Sequence, residues 1–309
     1  MLGIVVALVL VGRYVVPDLF DGPVLAAWST VFVAVCLQAL PFLVLGVLLS
    51  GAIATLVPAS FFTRALPSRP QLAVPVAGAA GVVLPGCECA SVPVAGSLVR
   101  RGVSPAAALA FLLSAPAINP IVLVATAVAF PDDPEMVAAR FVASLLVAVL
   151  MGWLWHALGR DDWLVLRHRP EVPTGTGRWA ALLSSARHDL LHAGGFLVVG
   201  GATAATLNVL VPRSWLEAVA DHSVLAVLVL AVLAVVLAIC SEADAFVAAG
   251  LTSFSLTARL TFLVVGPAVD VKLIALQAGT FGPRFALRFA PATFVVAVLC
   301  ALAVGWALL

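Results

Sequence analysis

Charge is what this sequence has least of. Only 10% of its 309 residues are Asp, Glu, Lys or Arg, and Lys272 is the one lysine. Soluble domains carry about 25% charged residues, so a water-facing surface cannot be built from this chain. With 63% hydrophobic residues and a mean hydropathy of +1.19, its solvent must be lipid. Other absences narrow the function. No basic arm accompanies the net charge of +1, which excludes a nucleic-acid partner. There is no Walker A loop, no GxSxG and no HExxH, so neither an ATP-driven pump made of this chain alone nor a hydrolase is expected, and no cofactor is implied. The five cysteines are odd in number and lie in apolar segments, which excludes a secreted disulfide framework. Cys36 and Cys300, alone in hydrophobic runs, read as small packing residues. The opening MLGIVVALVLVGRYVV lacks the basic leader and cleavage site of a signal peptide, and residues 1–22 read as a retained N-terminal transmembrane helix.

What is present is a succession of uncharged spans. Residues 23–63 suit one long helix kinked at Pro41, and 142–158, 190–211 and 289–309 each suit one crossing. An all-α polytopic membrane protein with about eight to ten membrane segments follows, at roughly 20 residues per crossing. Residues 160–187 hold Arg160, Arg167, Arg169, Arg178 and Arg187 and read as a basic cytoplasmic loop. The chain also repeats itself. PFLVLGVLLSGAIATLVP (41–58) aligns on GFLVVGGATAATLNVLVP (195–212), FLLSAPAIN (111–119) on FLVVGPAVD (262–270), and Cys87 on Cys240, at offsets of 151 to 154 residues. Residues 23–159 and 188–309 are therefore expected to be two repeats.

Positive-inside counting suggests how the repeats face. If 71–101 and 222–255 are re-entrant hairpins, then Arg64, Arg69, Arg100, Arg101, the central loop, Arg284 and Arg288 share one side, opposite DLFD (18–21) and PDDPE (131–135). The repeats are then inverted, a common transporter plan. If both hairpins cross fully, a reading that the apolar 223–239 segment favours, the repeats are parallel.

Four interruptions break the apolar segments: LPGCECASVP, SAPAINP, CSEAD (240–244) and GPAVD (266–270). Irregular backbone survives at membrane depth only where protein buries it or a cavity borders it, so these are the candidate substrate site. Cys87 and Cys89 can converge on one ion in an unwound turn, and thiolates select soft species such as Cu(I), Zn(II) or trivalent arsenic. The same cysteines could also simply fill a tight packing site. Glu88, Glu242, Asp244 and Asp270 each cost about 2.5–3.5 kcal/mol in a membrane segment, which marks them as functional and in need of partners. Cys240 and Asp244, four apart, would share a helical face. Lys272 can neutralise Asp270, as a functional or a purely structural pair. Glu88 and Glu242 have no cation near them in sequence, which suits protonation or ligand binding. Pro116 and Pro120 interrupt a helix and start a half-helix near Asn119, either as a ligand-binding end or as a structural cap. His188 and His192, at i,i+4, read as a solvated helix end.

Together PGCECASVPVA, AFLLSAPAINPIVLVAT, ICSEADAFVAAG and FLVVGPAVDVK resemble the bacterial predicted-permease family that includes the ArsP-type organoarsenical efflux permeases, over nearly the whole chain. The resemblance implies a secondary permease of the cytoplasmic membrane that exports a soft metal(loid) or trivalent organoarsenical. It would put Cys87, Cys89 and by extension Cys240 on the substrate path, with Cys87 and Cys89 as metal(loid) ligands. Some relatives resemble one half of a two-component assembly, so a small membrane partner subunit is the alternative context.

Overall fold

The computed structural model describes residues 23–56, 66–67, 69–83, 88–166, 178–210 and 223–309. The N-terminal helix expected over 1–22, Arg64, Arg167, Arg169 and Cys87 lie outside the described residues. Among the described residues every regular element is helical: α1 (Pro23–Leu56), α2 (Pro70–Ala79) with a 3₁₀ turn at Ala80–Val83, α3 (Glu88–Arg100), α4 (Pro105–Ile118), α5 (Pro120–Ala129) and α6 (Glu135–Leu158). A 3₁₀ turn at Asp161–Trp163 leads to α7 (Arg178–Leu210), α8 (Ser223–Leu237), α9 (Asp244–Gly250), α10 (Leu256–Ala268), α11 (Val271–Phe281) and α12 (Pro283–Leu308).

Among the described residues five stretches are long and apolar enough to cross a membrane: 25–53, 105–129, 135–158, 256–281 and 283–308. Two of them, α4 with α5 and α10 with α11, are broken in the middle. Pro120 and the flattened chain at Asn119 interrupt the first, and Val269 with Asp270 interrupts the second. The helix around Pro41 runs on unbroken from Pro23 to Leu56. Helix α6 starts at Glu135 rather than near 142, which draws Arg140 into the span. Helix α7 starts at Arg178, so residues 178–187 of the basic stretch are helical. Helix α8 stops after 15 residues, about 22 Å of rise against a hydrocarbon core of about 30 Å. The chain leaves it through Ala238, whose φ of 49° lies where residues with a Cβ are seldom found.

Side-chain contacts orient the helices. Trp28 donates to Thr206 at 2.9 Å, Gly201 lies against Cys36, and Gly51 lies against the Leu182 carbonyl, so α1 and α7 run antiparallel. Trp153 donates to the Gln71 carbonyl at 3.1 Å, and Gly152 lies against Val74 and the Ala106 carbonyl. The starts of α2 and α4 therefore sit beside the end of α6. Val165 donates its amide to the Phe281 carbonyl at 3.0 Å, and the Arg288 guanidinium stacks 4.2 Å from the Trp163 ring. The end of α11 and the start of α12 thus join the same end of the bundle, which carries Arg100, Arg101, Arg160, Arg284 and Arg288. Asp132, Asp133 and Glu135 lie at the other end, where α6 begins.

Candidate functional site

Four half-helices begin at the breaks: α3 at Glu88, α5 behind Asn119, α9 at Asp244 and α11 behind Asp270. The amides at a helix start lack intrahelical partners and carry about half a positive charge. Side chains answer this locally. Asn119 Oδ1 accepts from the Val122 amide at 3.1 Å while its Nδ2 donates to the Ala115 carbonyl at 3.0 Å, tying the two halves of the broken helix together. Asp270 caps α11 in the same way through the Leu273 amide.

Tertiary packing brings these starts together around two buried cations. Lys272 Nζ lies 3.6 Å from Glu88 Oε1 and 3.6 Å from Asp270 Oδ2, and donates to the Ala238 carbonyl at 3.3 Å. The left-handed turn at Ala238 thus supplies a carbonyl released from helix α8. The second cation is Arg140 of α6. One of its terminal nitrogens lies 3.0 Å from each Asp244 oxygen and 3.1 Å from the Ser241 carbonyl, and the other donates to Thr126 Oγ at 2.9 Å. Glu88, Asn119, Arg140 and Asp270 are fully buried, and Asp244 and Lys272 nearly so. In low dielectric such pairs hold only because each charge meets an opposite one and several dipoles. Glu242 is half-buried in the turn before α9, within electrostatic reach of Glu88, Arg140 and Lys272.

Four carboxylates face two cations here, so with all four ionised the centre carries two negative charges in excess. Glu88 stands apart: neither of its oxygens makes a hydrogen bond among the described residues, and the 3.6 Å approach of Lys272 is an ion pair without one. A buried carboxylate with unused acceptors can take a proton or a ligand.

Cys89 is fully buried on the first turn of α3, and Cys240 is buried in the turn before α9. Both lie within electrostatic reach of the Lys272 ammonium. Asp244 opens α9 and Cys240 lies one turn before it. They are joined by the Asp244 amide donating to the Cys240 carbonyl at 3.0 Å. Among the described residues no three His, Cys, Asp or Glu side chains form a metal-ligand set.

Two features escaped sequence reasoning. Arg140 sits in a long apolar run, and only its i+104 partner Asp244, remote in sequence, explains it. A basic residue one turn beyond Glu135, at the head of a long apolar run, was the available signal. His188 and His192 do not form a solvated helix end: with Arg100, Asp189 and Thr280 they border a pocket between α3, α7 and α11. Phe196, one turn further along α7, meets His192 edge-to-face with ring centroids 5.5 Å apart.

Comparison with known proteins agrees with this architecture. UPF0718 protein YcgR of Bacillus subtilis is 34% identical over 88% of this chain and 94% of its own length. A putative two-component membrane permease complex subunit of Streptococcus mutans is 29% identical over 89% of this chain and 94% of its own length. No solved structure matches. Residues 24–306, which contain every described break and both buried cations, match the ArsP_1 predicted permease family, and the chain is a member of that family.

Proposed function

We propose that this chain is a secondary permease of the cytoplasmic membrane that exports a soft metal(loid) or trivalent organoarsenical. The observation that carries the reading is the meeting of helix breaks from both halves of the chain at one buried charge centre. Broken helices that meet at the bilayer midplane are where transporters bind substrate and coupling ion. In this reading Cys89 and Cys240, with Cys87, take the soft centre through thiolates. Glu88, with its unused oxygens, and the half-buried Glu242 exchange protons with the two aqueous sides. Asp270, Lys272 and Asn119 hold the break open, and Asp244 holds the turn that carries Glu242.

The architecture proposed with it is a pair of inverted repeats, 23–159 and 188–309, joined through 160–187. Three observations support the inversion. The matched helices α1 and α7 run antiparallel. Ser104 and Ser255, 151 positions apart, cap α4 and α10 alike, each accepting from the amide three residues on. Helix α4 starts at the arginine-rich end, whereas Gly305 at the far end of α12 packs on Thr257 at the start of α10. With α2 and α3 both reaching the arginine-rich end, positive-inside logic makes that end cytoplasmic.

The test is uptake of trivalent methylarsenic, Cu(I) and Zn(II) into inverted vesicles by the wild type, by Glu88→Gln and by Cys87→Ser/Cys89→Ser. One soft species should be carried by the wild type and lost in both variants. If no soft species is carried, the substrate class is wrong. A second reading, that the chain is the membrane subunit of a multi-component complex, is favoured by the name of the Streptococcus mutans relative. A small membrane protein that co-purifies at fixed stoichiometry and is required for uptake would establish it.

A further inference from the structure

The contacts of Lys272 have the form of a cation site. Three oxygens from three different breaks face its Nζ. Glu88 Oε1, at the start of α3, and Asp270 Oδ2, before α11, are each 3.6 Å away, and the Ala238 carbonyl after α8 is at 3.3 Å. Carbonyls of unwound backbone, with helix ends beside them, are what broken-helix transporters use to hold a coupling cation. The turn that presents the Ala238 carbonyl is itself strained, since a φ of 49° disfavours a residue with a Cβ. Asp270 divides its oxygens. One caps α11 through the Leu273 amide, and Oδ2 faces Nζ with no hydrogen bond among the described residues. Glu88 is fully buried, and neither of its oxygens has a hydrogen bond among the described residues. Buried acceptors are ordinarily bonded. A closed ammonium–carboxylate bond measures about 2.7–2.9 Å, so Lys272 answers these oxygens by charge alone. Its ammonium stands among them as a free ion stands in a cage. The backbone beneath it is fixed, because α7 fits so closely that a methyl group on Gly200 would overlap Lys272.

We propose that Glu88, Asp270 and Ala238 form a monovalent-cation site, and that the Lys272 ammonium fills it as a tethered ion in place of free potassium or sodium. Charge and size select the class. The two carboxylates retain one negative charge with the ammonium present and two without it, and buried charge must be paired. Oxygens at 3.3–3.6 Å stand about 1 Å beyond the 2.0–2.6 Å that magnesium and calcium require. The site therefore suits a large ion of single charge, potassium or ammonium before sodium. A tethered cation cannot be released on the second side of a membrane, so it carries no coupling energy. The site stands apart from the permease reading; the consequence that potassium and sodium gradients do not drive transport rests on that reading.

The test is thermal unfolding of the full-length protein in detergent, at fixed pH and ionic strength. The salts are the chlorides of potassium, ammonium, calcium and the bulky N-methylglucamine cation. Lys272→Ala vacates the place of the ammonium. Potassium or ammonium at about ten times half-saturation should raise its folded-to-unfolded ratio roughly tenfold over N-methylglucamine. The wild type, and Lys272→Met whose side chain still fills the site, should unfold at one midpoint in all four salts. Adding Glu88→Gln to Lys272→Ala should remove most of the response. A Lys272→Ala chain indifferent to the salts has taken up protons or water instead, which overturns the proposal, as does a response shared by the wild type. A response to calcium alone overturns the monovalent class. Lys272→Ser repeats the test with a hydroxyl added as a ligand. If neither small variant is recovered folded in any salt, no cation replaces the ammonium and the proposal fails. Uptake by wild-type vesicles should not change when N-methylglucamine replaces potassium and sodium. A dependence on either ion there refutes the consequence for coupling, whereas an absence of any uptake bears on the permease reading and leaves the unfolding result to decide the site.

Discussion

The Arg140–Asp244 pair allows a quantitative test of how the two halves of the chain are held together. Arg140 is fully buried on α6, and its charged contacts are to the segment that opens α9, with distances of 3.0 Å to Asp244 and 3.1 Å to the Ser241 carbonyl. Replacing Arg140 by Met removes the cation and leaves a buried carboxylate with nothing opposite it. Breaking a buried pair from one side costs about 3–5 kcal/mol, most of it the uncompensated charge rather than the lost contact. Asp244→Asn should cost less, because the guanidinium keeps the Ser241 carbonyl and Thr126. The double variant Arg140→Met/Asp244→Asn leaves neither charge, and should recover about 1–3 kcal/mol relative to the sum of the single losses. The assay is reversible unfolding in mixed micelles, followed by tryptophan fluorescence across the four-variant cycle. A coupling energy of about zero would show that Arg140 and Asp244 do not form a closed pair, and would refute the argument that this contact locks α6 to the turn before α9.

Lys272 serves two carboxylates and Glu88 only one cation, so Lys272→Met should lower the thermal midpoint in detergent more than Glu88→Gln does; the reverse order would mean that Glu88 is held by contacts other than Lys272. Ser104 and Ser255 cap α4 and α10, and each Ser→Ala change should cost about 1 kcal/mol. Measured in the same unfolding assay, the two losses should add, since distant sites share no partners.

Much of this protein was legible in its sequence because membranes impose simple rules. A chain this poor in charge and rich in apolar residues must span lipid. Pro120 after Asn119 marked one interruption where the structure has it, whereas Pro116 and Pro267 lie inside α4 and α10 and the second break follows at Val269 and Asp270. The cost of an ionisable group in hydrocarbon singled out Glu88, Glu242, Asp244 and Asp270 before any contact was known; Glu88, Asp244 and Asp270 are buried and Glu242 is half-buried. Proximity in sequence also paired Lys272 with Asp270.

What the sequence could not decide was which charge meets which across the fold. Glu88 has no cation near it along the chain, and finds Lys272 only because α3 and α11 start side by side. Arg140 looked like an ordinary helix residue until α6 packed beside the turn that opens α9. The same holds for His188 and His192: their spacing is visible, but whether that face of α7 meets water or the α3–α11 wall depends on helix rotation, which apolar sequence on every side leaves undetermined. Local rules act through neighbours a few residues away, whereas burial and ion pairing depend on segments more than a hundred residues apart. Length, hydropathy and helix-breaking chemistry therefore determined that the chain is helical and spans lipid, and where some of its helices are interrupted, and only the packing of helix on helix brought the interruptions together into one charged centre.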